Sequence, residues 1–178
     1  MASSYAQEKG YINDPDGYTN IRKQPSVESE IIGKLIEGEM FTYHPSNSNW
    51  WKVEFKGVKG FVHSSRIESV IEVKKRINQY FVDYFESDRN NVELSEGNNE
   101  KLFLLSEKYP YSLLTSFCEL NNEIQVFLLS EYESPIHDLI DLQLIFTRLK
   151  NTKVDCSGKQ RILDALKLAG QKIGLEIK

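Results

Sequence analysis

The residues that carry most enzyme chemistry are scarce in this chain. Its 178 residues include two cysteines and three histidines. No Cys-x-x-Cys pair and no His-Glu-x-x-His signature occurs, so neither a metal centre nor a cofactor is expected. A glycine-rich loop ending in lysine, which would cradle a phosphate, is also missing. No apolar run approaches the ~18–20 residues of a membrane helix, so no membrane span is expected. An excess of basic charge is absent too: 22 Lys and Arg face 26 Asp and Glu, a net charge of -4. Residues 1–68 hold 8 basic and 9 acidic side chains, and residues 69–178 hold 14 and 17. Neither part has the basic excess that releases phosphate counterions, which argues against a nucleic-acid partner. Carboxylates abound, but a glycosidase needs two at a set distance in space, which sequence does not define.

What is present suffices for a packed interior. Hydrophobic residues make up 40% of the chain, and the length allows one large domain or two small ones. At the N-terminus, Ser4 and Ala6 supply small residues at the -3 and -1 positions of a signal-peptidase site before Gln7. The basic and apolar parts of a signal peptide do not precede them. The expectation is an exported protein, periplasmic or in the cell envelope, whose signal peptide has been removed. Cys118 and Cys156 leave two readings open: a pair in an oxidising compartment, or two buried free thiols.

The pattern divides the chain into a processed or disordered stretch 1–9, a β unit 10–68 and an α-helical unit 69–178. In the β unit, turn signals such as Asn13-Asp14-Pro15-Asp16-Gly17 and Lys56-Gly57 separate short strand-like runs. Five strands are expected: Tyr18–Lys23, Ile31–Ile36, Glu39–Tyr43, Trp50–Phe55 and Val58–His63. In the fourth, Trp51, Val53 and Phe55 share one face, and Trp50, Lys52 and Glu54 share the other. Five short strands in under 60 residues suggest a small barrel.

These residues carry a resemblance. Gly17-Tyr18-Thr19-Asn20-Ile21-Arg22-Lys23-Gln24-Pro25-Ser26 resembles the opening of bacterial Src-homology-3-type (SH3) domains. Ile32-Gly33-Lys34-Leu35, Asn49-Trp50-Trp51-Lys52-Val53 and Gly60-Phe61-Val62-His63-Ser64-Ser65-Arg66-Ile67 match its later strands in order. The resemblance implies an all-β SH3-like barrel that binds a ligand, in many members peptidoglycan. Within such a module, aromatic groups give large contact area at low entropic cost. The candidate ligand contacts are Tyr11, Tyr18, Tyr43, Trp50 and His63, with at least one tryptophan expected in the core.

The remainder has helical spacing. Ser69 and Glu72 form a capping-box pattern before apolar residues at Val70, Val73, Ile77, Tyr80, Phe81 and Tyr84. The polar stretch 86–99 reads as a loop. Helices are then expected near 100–108, 111–120, 123–132, 135–150 and 158–173, with Pro110 and Pro135 at helix starts and Ser134 as a cap. Phe103-Leu104-Leu105-Ser106-Glu107 recurs as Phe127-Leu128-Leu129-Ser130-Glu131, which suggests stacked helical-hairpin repeats.

Asp155-Cys156-Ser157-Gly158 resembles the nucleophile motif of papain-like cell-wall amidopeptidases, which frequently carry a bacterial SH3-type domain. That mechanism needs a later histidine to activate the thiol. Only 22 residues follow Cys156, and none is histidine, while His44, His63 and His137 all precede it. The alternative is a helix start capped by Asp155 or Ser157, with Cys156 packed inward. The sequence therefore points to a non-catalytic binding protein of the cell envelope with a protein partner. An inhibitor or immunity protein against a secreted toxin is one concrete form. The alternative is a peptidoglycan-binding, wall-targeting module.

Overall fold

The computed structural model describes residues 6–88, 90–136 and 140–178. Ser4 of the N-terminal processing motif and His137 lie outside the described residues. Seven strands come first: β1 (Glu8–Ile12), β2 (Tyr18–Arg22), β3 (Ile31–Ile36), β4 (Phe41–His44), β5 (Trp50–Phe55), β6 (Val58–His63) and β7 (Ile67–Ser69). Six helices follow: α1 (Val70–Glu86), α2 (Val92–Lys108), α3 (Pro110–Glu119), α4 (Asn122–Tyr132), α5 (Leu142–Asn151) and α6 (Ser157–Lys172). The fold is an SH3-like β unit plus a helical unit. The compact units divide between Val73 and Lys74, inside the first turns of α1.

The sheet is antiparallel in the order β3-β2-β6-β5-β4-β1-β7. The five expected strands are β2 to β6. Strands β1 and β7 carried no sequence signal, because each is defined by its partner: Tyr11 stands opposite Glu68, and Gly10 opposite Phe41. The β5–β6 hairpin turns on Lys56 and Gly57, both at positive φ, as a two-residue loop between right-twisted strands requires. Alternation then directs Val53 and Val62 inward, where they meet Ile12, Ile21, Leu35, Phe41 and Tyr43. Trp51 and Phe55 pack against the same core. Each fully buried aliphatic here stabilises the unit by roughly 1.5–3 kcal/mol. Gly60 is needed where β6 meets β2: a Cβ there would stand 2.5 Å from the Arg22 carbonyl oxygen.

In the helical unit, α1 buries Ile77, Tyr80, Phe81 and Tyr84 on one stripe, as their spacing requires. Ser69 caps it by accepting the Ile71 N–H at 3.2 Å. The expected loop 86–99 is in part helix, since α2 starts at Val92. Asn91 caps it by accepting the Leu94 N–H at 3.1 Å, and Val92 and Leu94 stay exposed. A helix turn with no apolar stripe leaves no hydrophobic period to read. The next two expected helices correspond to α3, with Pro110 in its first turn, and α4, capped by Asn121.

The helix expected from Pro135 begins at Leu142, capped by Asp141, which accepts the Leu144 N–H at 2.8 Å. Ser134 and Pro135 are not helical. Buried Asn99 ties this connection down. Its amide donates to the Ser134 carbonyl at 3.4 Å and accepts the Ile136 N–H at 3.2 Å. These bonds hold residues 134 and 136 against α2 and satisfy their backbone groups without a helix.

The repeated Phe-Leu-Leu-Ser-Glu segments are not structural equivalents. Leu104 is 57% exposed, whereas its counterpart Leu128 is fully buried. Helices α3, α5 and α6 each pack on one another, α2 packs on α3 and α5, and α4 packs on α6, so the unit is a bundle rather than a stack of hairpins. The α6 stripe of Ile162, Leu163, Ala165, Leu166 and Ala169 is apolar enough to face three helices at once. Cys118 in α3 and Cys156 before α6 form a disulfide across 6.4 Å between Cα atoms. This overturns the reading of two free thiols. Cys156 itself holds the cap position of α6, without a side-chain cap bond from Asp155 or Ser157.

Candidate functional site

The pleat that buries Val53 and Val62 necessarily turns their neighbours outward. Strand β5 presents Trp50, Lys52 and Glu54, and β6 presents Lys59, Phe61 and His63. The register sets them in pairs: Trp50 opposite His63, Lys52 opposite Phe61, and Glu54 opposite Lys59. Strand β4 adds His44 opposite Lys52, and β2 adds Arg22 opposite Phe61. Because β2 runs antiparallel to β6, its Tyr18 end lies toward His63. The outer face thus has an aromatic end and a cationic middle.

At the aromatic end, the Trp50 and His63 rings meet edge to face with centroids 5.5 Å apart. His63 Nδ1 lies 2.8 Å from the Ser65 hydroxyl, which holds the ring in place. Tyr18 is exposed, but the Lys34 ammonium sits 3.3 Å from its ring centre and covers one face. In the middle, a depression of about 340 Å³ is lined by Lys23, His44, Lys52, Val53, Glu54, Lys59, Gly60 and Phe61. Lys59 pairs with Glu54 at 3.2 Å, and Lys23 with Glu30 at 3.0 Å. The Arg22 guanidinium donates to the Ser29 carbonyl at 2.8 Å. Among the described residues Lys52 makes no ion pair.

The five sequence candidates separate cleanly. Tyr18, Trp50 and His63 share the outer face. Tyr11 and Tyr43 are core residues, a correction to their expected place as ligand contacts. Tyr11 is fully buried in β1. Tyr43 stacks on Trp51 at 5.3 Å between centroids and donates its hydroxyl proton to Glu8 at 2.6 Å. Burial and the Glu8 carboxylate push its pKa up to about 12. The physical reason is parity: Tyr43 stands opposite inward Val53, whereas His44 stands opposite outward Lys52. Phe61, Lys52, His44 and Arg22 were missed as site residues. The same alternation that sorted β5 also places Lys59, Phe61 and His63 together.

Elsewhere the polar side chains serve the fold. In the helical unit, the Tyr84 hydroxyl donates to the Glu131 carboxylate, which also accepts from Asn99 at 2.9 Å. Ser106 and Tyr132 share a hydrogen bond of 2.6 Å. Burial raises the pKa of Tyr80 and Tyr132 above the ordinary tyrosine value. Cys156, as a disulfide sulfur, is not a thiolate nucleophile. No group of three metal-ligating side chains occurs among the described residues, and no described helix is long and apolar enough to cross a membrane.

Comparison with known families agrees with this geometry. The bacterial SH3 domain family matches residues 17–68. This segment is therefore a bacterial SH3-type domain, a class that suggests a binding role. The match spans β2 to β6 and most of β7, and leaves β1 and the helices outside it. No curated protein matches the chain.

Proposed function

We propose that this chain is a non-catalytic binding protein of the cell envelope that holds another protein on the outer face of its SH3-type sheet. One observation carries the reading: Trp50 and His63 meet on that face, and Phe61 stands beside them on β6 with Lys52 and Arg22 opposite it. Sugar recognition favours open aromatic faces, and here two of the five expected aromatics are buried and Lys34 covers Tyr18. A partly buried tryptophan beside polar groups is instead characteristic of protein interfaces. The Cys118–Cys156 disulfide supports an oxidising compartment, in line with export. An inhibitor or immunity protein against a secreted toxin is the narrower form, and it predicts that the captured partner is itself a toxin.

The test is cross-linked capture from envelope and secreted fractions, with Trp50→Ala alongside. One recurrent protein that the variant fails to retain is the expected result. Peptidoglycan is the second reading, favoured by the SH3-type match. Saturable pelleting with sacculi that Trp50→Ala weakens, without protein capture, would transfer the face to it.

A further inference from the structure

The cationic middle of the outer face has a chemistry that the aromatic end does not explain. We propose that the depression around Lys52 is a binding site for an extended acidic segment of a protein partner. This rests on the reading of the SH3-type unit as a protein-binding module and names what it recognises.

Three lysines and His44 line the depression against a single carboxylate, Glu54. Lys52 is at its centre, opposite His44 on one side and Phe61 on the other. It is exposed and makes no ion pair among the described residues. Lys23 and Lys59 do have carboxylate partners, but both pairs are solvent-exposed and therefore weakly held. They can turn to an incoming carboxylate at little cost. Phe61 supplies an apolar surface for the methylenes of an extended chain, and the side-chain-free Gly60 leaves room for its backbone.

The volume of about 340 Å³ suits a short stretch of side chains rather than a folded domain. The surrounding charge strengthens the assignment. The chain carries a net -4, and residues 1–68 hold more acid than base. A concentration of cations on one face of an acidic protein is a local reversal of sign, and such a patch steers and orients anionic partners.

The test uses the full chain and a synthetic probe, an N-acetylated, C-amidated hexapeptide alternating glutamate and leucine. Its glutamine-for-glutamate counterpart and a soluble muropeptide serve as comparisons. Amide resonances of His44, Lys52, Lys59 and Phe61 should shift saturably with the glutamate peptide. The glutamine peptide should bind at least tenfold more weakly. Lys52→Glu should weaken glutamate-peptide binding at least tenfold while keeping the wild-type thermal midpoint, and Lys52→Arg should retain it. Equal binding of both hexapeptides, absence of saturable shifts, or shifts only with the muropeptide would overturn the proposal. A partner captured equally by wild type and Lys52→Glu would sink this inference alone. Peptide binding at Lys52 with no protein captured from any fraction would sink the proposed function instead.

Discussion

The two units use their aromatic residues in opposite ways. In the β unit, Tyr11, Tyr43 and Trp51 build the interior, while Tyr18, Trp50 and Phe61 remain on the outer face. In the helical unit, Tyr80, Phe81, Tyr84, Phe103, Phe117, Phe127 and Tyr132 are buried, while Phe85 and Tyr111 are half-buried. Their hydroxyls find partners within the unit: Tyr80 donates to the Asn98 carbonyl at 2.6 Å, and Tyr132 bonds Ser106. A buried hydroxyl without a partner would cost about 1–3 kcal/mol, so these bonds are conditions of the packing. The contrast teaches where to look for a ligand. A sheet with one inward face leaves a second face whose residues are not needed by the core. A helical bundle leaves most of its aromatics no such freedom.

That comparison can be broken or sharpened by experiment. Both tryptophans lie in the β unit, so tryptophan fluorescence reads that unit and helical circular dichroism reads the other. The largest effect should come from replacing Cys118 and Cys156 together by serine. The disulfide joins residues 38 apart, and its loss should cost about 2–4 kcal/mol. The helical signal should lose midpoint stability in urea, and an unshifted helical midpoint would show that the bundle does not depend on the tie.

Asn99→Ala comes next. It removes the amide that bonds the Glu131 carboxylate and organises residues 134–136, and should cost about 1–3 kcal/mol on the same helical signal. A loss below about 0.5 kcal/mol would assign the α4–α5 connection to apolar packing instead.

The effect of Tyr43 is nil at neutral pH and visible only in alkali. Its pKa is raised from 10.0 to about 12 in the folded protein. The folded state therefore favours the protonated phenol. That contribution is complete below about pH 10 and is lost as pH rises toward 12. The fluorescence-detected midpoint should fall across this window, and Tyr43→Phe should flatten the fall. A variant with the same alkaline slope as wild type would remove Tyr43 as its cause.

Much of this was legible in the residues, though unevenly. The alternation in Trp50–Phe55 sorted Trp51, Val53 and Phe55 from Trp50, Lys52 and Glu54 before any coordinates, because a strand has only two faces. Aromatic character alone made Tyr43 a candidate contact, and a strand of four residues after a turn does not announce its own parity. Register against β5 decides it. The first turns of helix α2 have no apolar period to read, and Ser134-Pro135 has the pattern of a helix start although residues 134–136 are instead tied to Asn99, up to 37 residues away in sequence.

The sequence by itself determined a turn-rich β unit of the bacterial SH3 type, a helical remainder and the inward set of β5. All three follow from short-range periodicity, turn chemistry and an ordered series of local motifs. Only the tertiary structure decided that Tyr11 and Tyr43 are core, that Cys118 meets Cys156, and that α6 packs on α3, α4 and α5. Only it placed Lys52 between His44 and Phe61. Each of these depends on which distant segments come together, and that is set by packing over the whole chain rather than by any window along it.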